Sequence, residues 1–500
     1  MVNSLFNKKL EIISKRVNYL NKPFIFATSV IPILLFFILF VPVGEAPDER
    51  THILRVDSVR HFSVSGFRFD VQDALGRPAK DVGVRADLAL LDAATAFPFG
   101  AQPAEKQETF AKWIEKRAIP WRGRREIASV PNTGIYPLTF YIPFAIGMEI
   151  ARLADFGPYD SIIGARLFGA FSYVIIGALA LSQAKSGRGM MFVLLCLPMT
   201  LYLASSVSQD GLTIAALCLS AALWTRDRED CSDPKRWLLG CAIFGLAAMA
   251  KPYIAPLAVV GWLRMPRPAS HPWKSRVVGA VIMLGPAIVW SLAMAAFVST
   301  PFLRSPTPAG PLWTGAPGTI FATTSPIDQL RVVLAHPVTL FRLFFDALID
   351  RSRVLWHEAI GVFGPLQWPL PDSLYKVWSW IIPTSLISDL LSAERDRQRQ
   401  GYRPLIELCV GLGACALSIM LVYVLQYLTW TMVGDVRVEG VQGRYLLPII
   451  AAMIPVLSNP ALHFPGAGAV KNMLSLPAAG MAMVGIMPAA FVILHAYYIR

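Results

Sequence analysis

The chain has 500 residues, 55% of them hydrophobic and only 16% charged, with a mean hydropathy of +0.50. A soluble protein of this length carries more charge, and the apolar residues fall in blocks of about 20, the length that crosses roughly 30 Å of hydrocarbon. The net charge of +13 does not point to nucleic acid, because Lys and Arg gather in short loops between apolar blocks, the positive-inside pattern that orients helices among membrane lipids.

Lys8, Lys9, Lys15, Arg16 and Lys22 precede the run FIFATSVIPILLFFILFVPV. That run exceeds the ~7–15 residues of a signal-peptide core, and no small-x-small cleavage pattern follows. The expectation is a retained first transmembrane helix at 23–43, with residues 1–22 in the cytoplasm. Residues 44–160 then form a large extracytoplasmic loop with juxtamembrane helices. DERTHILRVDSVRHF places Ile53, Val56, Val59 and Phe62 three residues apart and predicts an amphipathic helix. AEKQETFAKWIEKRA predicts another, with Phe110, Trp113 and Ile114 on one face. The Gly- and charge-punctuated stretch between them reads as loop.

The run GIYPLTFYIPFAIGMEIARL (134–153) is nearly long enough to span, but Pro137 and Pro143 interrupt it, and Glu149 and Arg152 sit in its last turns. Parity decides. The clusters Arg226/Arg228/Lys235/Arg236, Arg264/Arg267/Lys274/Arg276 and Arg395/Arg397/Arg399/Arg403 all fall in the cytoplasm if 134–153 is juxtamembrane or re-entrant. Transmembrane helices 2–7 then occupy 161–298, at about 161–182, 189–205, 210–225, 237–250, 254–265 and 277–298. A second extracytoplasmic loop, 299–371, contains HPVTLFRLFFDALIDRSRVLW, which reads as a helix lying in the interface. Helices 8–11 fill 372–500, at about 372–392, 404–430, 444–457 and 473–497. The expected fold is an all-α integral membrane protein with about eleven transmembrane helices. Cys196, Cys218, Cys231, Cys241, Cys409 and Cys415 all lie outside the external loops and form no CxxC, so nearly all of them read as buried apolar side chains, without disulfide, zinc or redox roles.

Polar residues at membrane depth or at its boundary are costly, which makes them functional candidates. On this topology four separate segments bring such residues to the outer side. Asp48, Glu49 and His52 follow the first helix, and Asp210 follows Ser208 and Gln209. Lys251 lies in a KPY turn, and Gln442, Arg444 and Tyr445 open the tenth helix. With Pro47 as first helical residue, Asp48 and His52 would share a face at i and i+4. Either Asp48 or Glu49 could act as a general base towards a hydroxyl, or both could simply favour the helix dipole. Glu45, Asp48, Glu49 and His52 could instead hold a hard cation, although no DxD or HExxH pattern occurs. Lys251 and Arg444 are candidate anion binders, Arg by two parallel hydrogen bonds; the alternative for each is snorkelling to headgroups. Asp210 could equally serve the start of its helix.

The stretches EAPDERTHILR, LPMTLYLASSVSQD, AKPY and VEGVQGRYLLPI resemble the bacterial membrane-protein family called domain of unknown function 2142. That family is similar in turn to the GT-C glycosyltransferases, multi-pass enzymes that take a sugar from a polyprenyl-phosphate donor on the outer leaflet. The resemblance implies a GT-C-like fold in the bacterial inner membrane and external helices that frame a cleft. It implies catalysis by Asp48, with Glu49 adjacent, and places Gln442, Arg444 and Tyr445 near the lipid phosphate. The missing DxD motif favours a site with no cofactor and no metal, with a divalent metal staying open as the alternative. The partners implied are a lipid-linked sugar donor and a cell-envelope glycan or glycolipid acceptor. Two other classes stay open: a transporter or flippase of a lipid-linked glycan, and a noncatalytic envelope-assembly protein.

Overall fold

The computed structural model describes residues 22–95, 97, 105–225, 234–265, 272–392, 403–458 and 487–499. The basic residues before Lys22, Arg226, Arg228, Arg267, Arg395, Arg397, Arg399 and Cys231 lie outside them, as does the first part of the expected span 473–497.

The first helix, α1 (Lys22–Phe40), leads through a turn into α2 (Glu49–Arg60). Next comes the main departure from an all-helical chain. The stretch read as loop supplies β1 (Phe67–Gln72) and β2 (Pro78–Ala86), which join β3 (Glu126–Ser129), beyond the second predicted helix, in a three-stranded antiparallel sheet of order β1-β2-β3. Phe67 pairs with Gly83, and Gly83 with Ser129. Leu54 of α2 packs on Val84, Ala86, Ala128 and Val130, so the sheet forms a small core under that helix. The helix is buried nearly all round, polar Arg55, Asp57 and Ser58 included, instead of along one stripe. Phe62, expected on its apolar face, lies past its end and is almost fully exposed. Between β2 and β3 run α3 (Ala89–Ala94) and α4 (Phe110–Arg117). On α4 the predicted apolar face is open at Phe110 and Ile114, and its buried side chain is Lys116, paired with Glu108 at 2.8 Å.

The ambiguous 134–153 run is a 3-10 turn, Thr139–Tyr141, followed by α5 (Ile142–Leu153). Twelve residues rise only about 18 Å, too little to cross the hydrocarbon alone. α5 lies against α6 (Pro158–Gln183), and the contact is backbone on backbone: a Cβ on Gly147 would sit 2.4 Å from the Gly164 carbonyl oxygen. α6 carries small residues inward, Ala165, Gly169, Gly177 and Ala180, and large ones outward, Leu167, Phe171, Ile175 and Leu179. That inversion suits a helix packed in lipid, where close approach, not burial of bulk, drives association.

The expected span 189–205 is two short helices, α7 (Arg188–Leu195) and α8 (Pro198–Ala204), divided before Pro198. α8 meets α9 (Gln209–Trp224) at a bend of 116°. Then come α10 (Pro234–Ala250), a 3-10 turn at Pro252–Leu257, α11 (Ala258–Leu263) and α12 (Pro272–Phe297). The second loop holds a hairpin of β4 (Leu303–Pro308) and β5 (Ile320–Thr323), followed by α13 (Pro326–Ala335), α14 (Pro337–Asp350) and α15 (Ser352–Gly361). On α14, the predicted interface helix, Val338, Phe341, Phe345 and Ile349 are exposed. A two-residue strand pair, β6 (Val362–Phe363) with β7 (Trp368–Pro369), precedes α16 (Asp372–Ser392) and α17 (Arg403–Thr429). A 3-10 turn, Gly443–Tyr445, opens α18 (Leu446–Leu457), and α19 (Met487–Tyr497) is the last described helix.

Among the described residues, α1, α6, α12 and α17 are each long and apolar enough to cross a membrane. The bent pairs α8–α9 and α13–α14 raise the number to six if each counts as one span. Cys196, Cys218 and Cys241 are buried and Cys415 half-buried, while Cys409 is exposed on α17 beside outward-facing Ile406 and Val410. Replacing Gly147 with Val should force α5 away from α6 and cost about 1–3 kcal/mol. Thermal unfolding in detergent tests this, and an unchanged melting temperature would rule out the close backbone contact.

Candidate functional site

The turn after α1 is built around Gly44. Its φ of 85° is one that glycine adopts freely, and a Cβ there would lie 2.0 Å from the Ala94 carbonyl oxygen. Asp48 follows as the N-cap of α2, itself left-handed at φ 61°. Pro47 therefore precedes the helix, and Asp48 meets His52 as the helix cap, the Asp48 carbonyl accepting from the His52 amide at 3.2 Å, and not as a second residue on the helix face. The turn sends the adjacent acids Asp48 and Glu49 in different directions.

Glu49 points inward. Its carboxylate takes Arg166 Nε at 2.8 Å and Nη2 at 2.7 Å, the Gly44 amide at 2.9 Å and the Val207 amide at 2.8 Å. Both side chains of this pair are fully buried, which leaves Glu49 no lone pair for a substrate. Asp48 points to the outside of the bundle. Its Oδ2 accepts from Arg444 Nη2 at 2.5 Å, and its Oδ1 from Asn132 Nδ2 at 3.1 Å.

Three further charged groups, Asp210, Lys251 and Arg444, are each delivered by a local device. At the α8–α9 bend, the hydroxyls of Ser205 and Ser206 donate to the carbonyls of Tyr202 and Leu203, while Ser208 caps Asp210 at 3.2 Å. Lys251 ends α10 by entering the 3-10 turn. Gly443 lets its 3-10 turn approach α15 so closely that a Cβ would lie 2.0 Å from the Leu355 carbonyl oxygen, and its amide donates to Glu358 at 2.7 Å. Arg444, next in sequence, is thereby held in place.

The four charged groups meet. Lys251 Nζ lies 2.6 Å from Asp210 Oδ1, and Arg444 Nη1 lies 3.5 Å from Asp210 Oδ2. Two cations and two carboxylates alternate: Lys251, Asp210, Arg444, Asp48. Asp48 is 41% exposed, against 3% for Arg444, 8% for Asp210 and 7% for Lys251. Tyrosines surround the group. The Lys251 ammonium is 5.2 Å from the Tyr136 ring and 5.9 Å from that of Tyr445, and Arg444 is 5.5 Å from Tyr445. Tyr253 lies 6.3 Å from Tyr445. Arg444 Nε, Asn132 Oδ1 and the Tyr253 hydroxyl are buried without a hydrogen-bond partner, so the cluster keeps unused donors and acceptors. Gln442 contributes a buried, unpartnered Oε1 two residues before Arg444.

Burial pushes the Asp48 carboxyl upward, but the charge and hydrogen bond of Arg444 outweigh it and hold the group below the usual carboxylate range. His52 sits beneath, buried, with Nδ1 2.6 Å from the Tyr141 hydroxyl. Burial lowers it to about 4 against the pull of Asp48 and Asp210, helped by Lys251 and Arg444, so at neutral pH it is an uncharged partner of Tyr141. The four candidate cation ligands do not converge: Glu45 binds Lys106 at 2.7 Å and Arg50 at 3.2 Å, and Glu49 binds Arg166. Among the described residues no three His, Cys, Asp or Glu side chains form a metal-holding group.

Residues 32–453 match the family of predicted membrane proteins known as DUF2142. The chain belongs to that family. Its match runs from within α1 to within α18 and so takes in all four arms of the charged cluster. No curated protein and no solved structure matches this DUF2142 chain.

Sequence reasoning singled out Asp48, Asp210, Lys251, Arg444 and Tyr445, and these are brought together. It passed over Asn132, Tyr136, Tyr141, Tyr253 and Arg166. Tyr253 stands inside the quoted AKPY turn and could have been promoted from it; Asn132 and the other tyrosines reach the site only through tertiary contacts.

Two measurements check this DUF2142 site. Glu49→Gln leaves the Arg166 charge buried without its counter-ion and should cost about 3–5 kcal/mol of stability; a parental melting temperature would contradict the buried pair. His52, lowered from 6.5 to about 4, makes stability pH-dependent. Between those values the unfolded chain binds a proton that the folded chain does not, so stability falls as pH drops through the window, by up to about 3 kcal/mol. Denaturant unfolding from pH 7 to 4.5 reads this slope, and His52→Gln should flatten it.

Proposed function

We propose that this protein is a membrane glycosyltransferase of GT-C type. It moves a sugar from a polyprenyl-phosphate donor to a cell-envelope glycan or glycolipid on the extracytoplasmic side of the bacterial inner membrane. In this reading the amino terminus is cytoplasmic, the chain has about eleven spans, and the short and bent helices count among them. The observation that carries the proposal is an open carboxylate, Asp48, shortly after the membrane-length helix α1, directly paired with a buried guanidinium, Arg444, at the start of α18. A hydroxyl acceptor needs a base, and a lipid phosphate leaving group needs a cation; both stand within one hydrogen bond of each other.

The chemistry follows from that pairing. Asp48 takes the proton of the acceptor hydroxyl. The acceptor oxygen bonds to the anomeric carbon as the bond from that carbon to the phosphate oxygen breaks. The electron pair leaves on the polyprenyl phosphate, where Arg444 and Lys251 neutralise the added charge. Asp210 holds those two cations in register, and Tyr136, Tyr253 and Tyr445 wall the cleft. Glu49 belongs to the scaffold in this scheme, not to the chemistry.

Asp48→Asn should lower transfer of labelled sugar from a polyprenyl-phosphate donor in proteoliposomes by about 10²–10⁴-fold. Undiminished transfer by a folded Asp48→Asn protein would sink the base assignment. A second reading, a transporter of lipid-linked glycan, is favoured by the 116° break beside Asp210, since broken helices build substrate sites in transporters. It predicts an intact lipid-linked sugar on the far leaflet with no label in the acceptor.

A further inference from the structure

We propose that Asp48 and the lipid phosphate compete for Arg444, so that donor binding itself releases the base. This rests on the phosphate-binding reading of the cleft and adds a switch to it. Of the four clustered charges only Asp48 is open, while Arg444, Asp210 and Lys251 lie beneath it. An anion arriving from outside therefore meets Arg444 on the side that Asp48 occupies.

The guanidinium edge explains why a phosphate displaces the carboxylate. Nε–H and the outer Nη2–H lie along one edge of the planar group and suit two oxygens of one anion. Asp48 uses only the Nη2 half, at 2.5 Å, and Nε has no partner. The other Asp48 oxygen is turned to Asn132 at 3.1 Å, and Nη1 faces Asp210 at 3.5 Å. A phosphate takes both positions on the edge and gains a hydrogen bond that Asp48 does not make. Asn132 keeps hold of Oδ1, so the released carboxylate stays at the cleft. Having lost its cation, it regains proton affinity when an acceptor hydroxyl needs it. With no donor bound, Asp48 stays neutralised and water is not activated.

The competition has a signature that simple phosphate binding lacks: removing the negative charge of Asp48 tightens binding, because Arg444 is no longer occupied in the free protein. Asp48→Asn removes the charge and Asp48→Gly the whole side chain. Both residues tolerate the left-handed backbone at this position. The probes are farnesyl phosphate, a short polyprenyl monophosphate, and inorganic phosphate, titrated into the full-length protein in detergent by calorimetry. Farnesyl phosphate should bind both variants about ten-fold more tightly than the parent, and Arg444→Gln should abolish binding. Inorganic phosphate should show the same order at lower affinity. If the parent binds, Arg444→Gln does not, and both Asp48 variants bind equally to the parent or more weakly, the competition is wrong and the phosphate reading stands. If no protein binds either probe, both fall together.

Discussion

The buried pair between Glu49 and Arg166 is the constraint on which the site depends. Arg166, in the first half of α6, donates not only to Glu49 but to the carbonyls of Ile38 at 3.1 Å, Val41 at 2.7 Å and Pro42 at 3.3 Å. Those are carbonyls at the end of α1, where a helix leaves acceptors unsatisfied. Glu49 in turn accepts from the Gly44 turn and from Val207 at the α8–α9 bend. One ion pair thus joins the end of α1, the start of α2, α6 and the broken helix. Away from water such groups would be expensive to leave unpaired, so the pair fixes the turn that carries Asp48 and the bend that carries Asp210 relative to each other.

The same constraint explains the geometry of neighbouring acids with opposite fates. A regular helix through Pro47 would have separated Asp48 and Glu49 by about 100° on one cylinder and left the choice between them to register. The left-handed residue at Asp48 costs roughly 1 kcal/mol for a side chain, and aspartate is among the residues that bear it best. It lets Glu49 descend into the core while Asp48 stays at the opening. Strain of this kind persists where surrounding contacts over-determine it, and here Arg166, Asn132 and Arg444 all do so.

Much of this was legible before any coordinates, and the physical reasons differ by residue. Charges next to apolar blocks are rare enough that Asp48, Asp210, Lys251 and Arg444 stand out singly, and the topology expected from the basic loops groups them. Arg166 was hidden because it lies within a span whose length and hydropathy dominate the reading. The sheet was missed for a different reason. FRFDVQ does alternate apolar and polar residues, as its half-buried, half-exposed pattern shows, but six residues bracketed by glycine and charge read equally well as loop. The division of 189–205 turns on Pro198, which removes a backbone donor and begins a helix better than it continues one; apolar length alone could not reveal it. Asn132, Tyr136 and Tyr141 join the cluster only because tertiary contacts of α2 and the sheet bring the 130–141 segment to it.

The cluster's charge balance ties these threads together. A lone buried arginine or lysine at a membrane boundary would be costly, and so would a lone carboxylate. Alternating two of each sign brings the net charge to zero and makes the arrangement tolerable in a setting with little water. Neutrality alone would also make it inert. What keeps it from being a closed structural network is the incomplete use of its capacity: Arg444 has an unused Nε, Asn132 an unused carbonyl and Tyr253 an unused hydroxyl. The Glu49–Arg166 pair offers the contrast within the same molecule, since every lone pair of Glu49 that faces a donor there is engaged and nothing is left to exchange. Two neighbouring acids thus sit in two kinds of ion pair. One is saturated and holds the helices; the other is unsaturated, open on one side, and able to trade its carboxylate for a ligand's oxygen without changing the number of buried charges left unpaired.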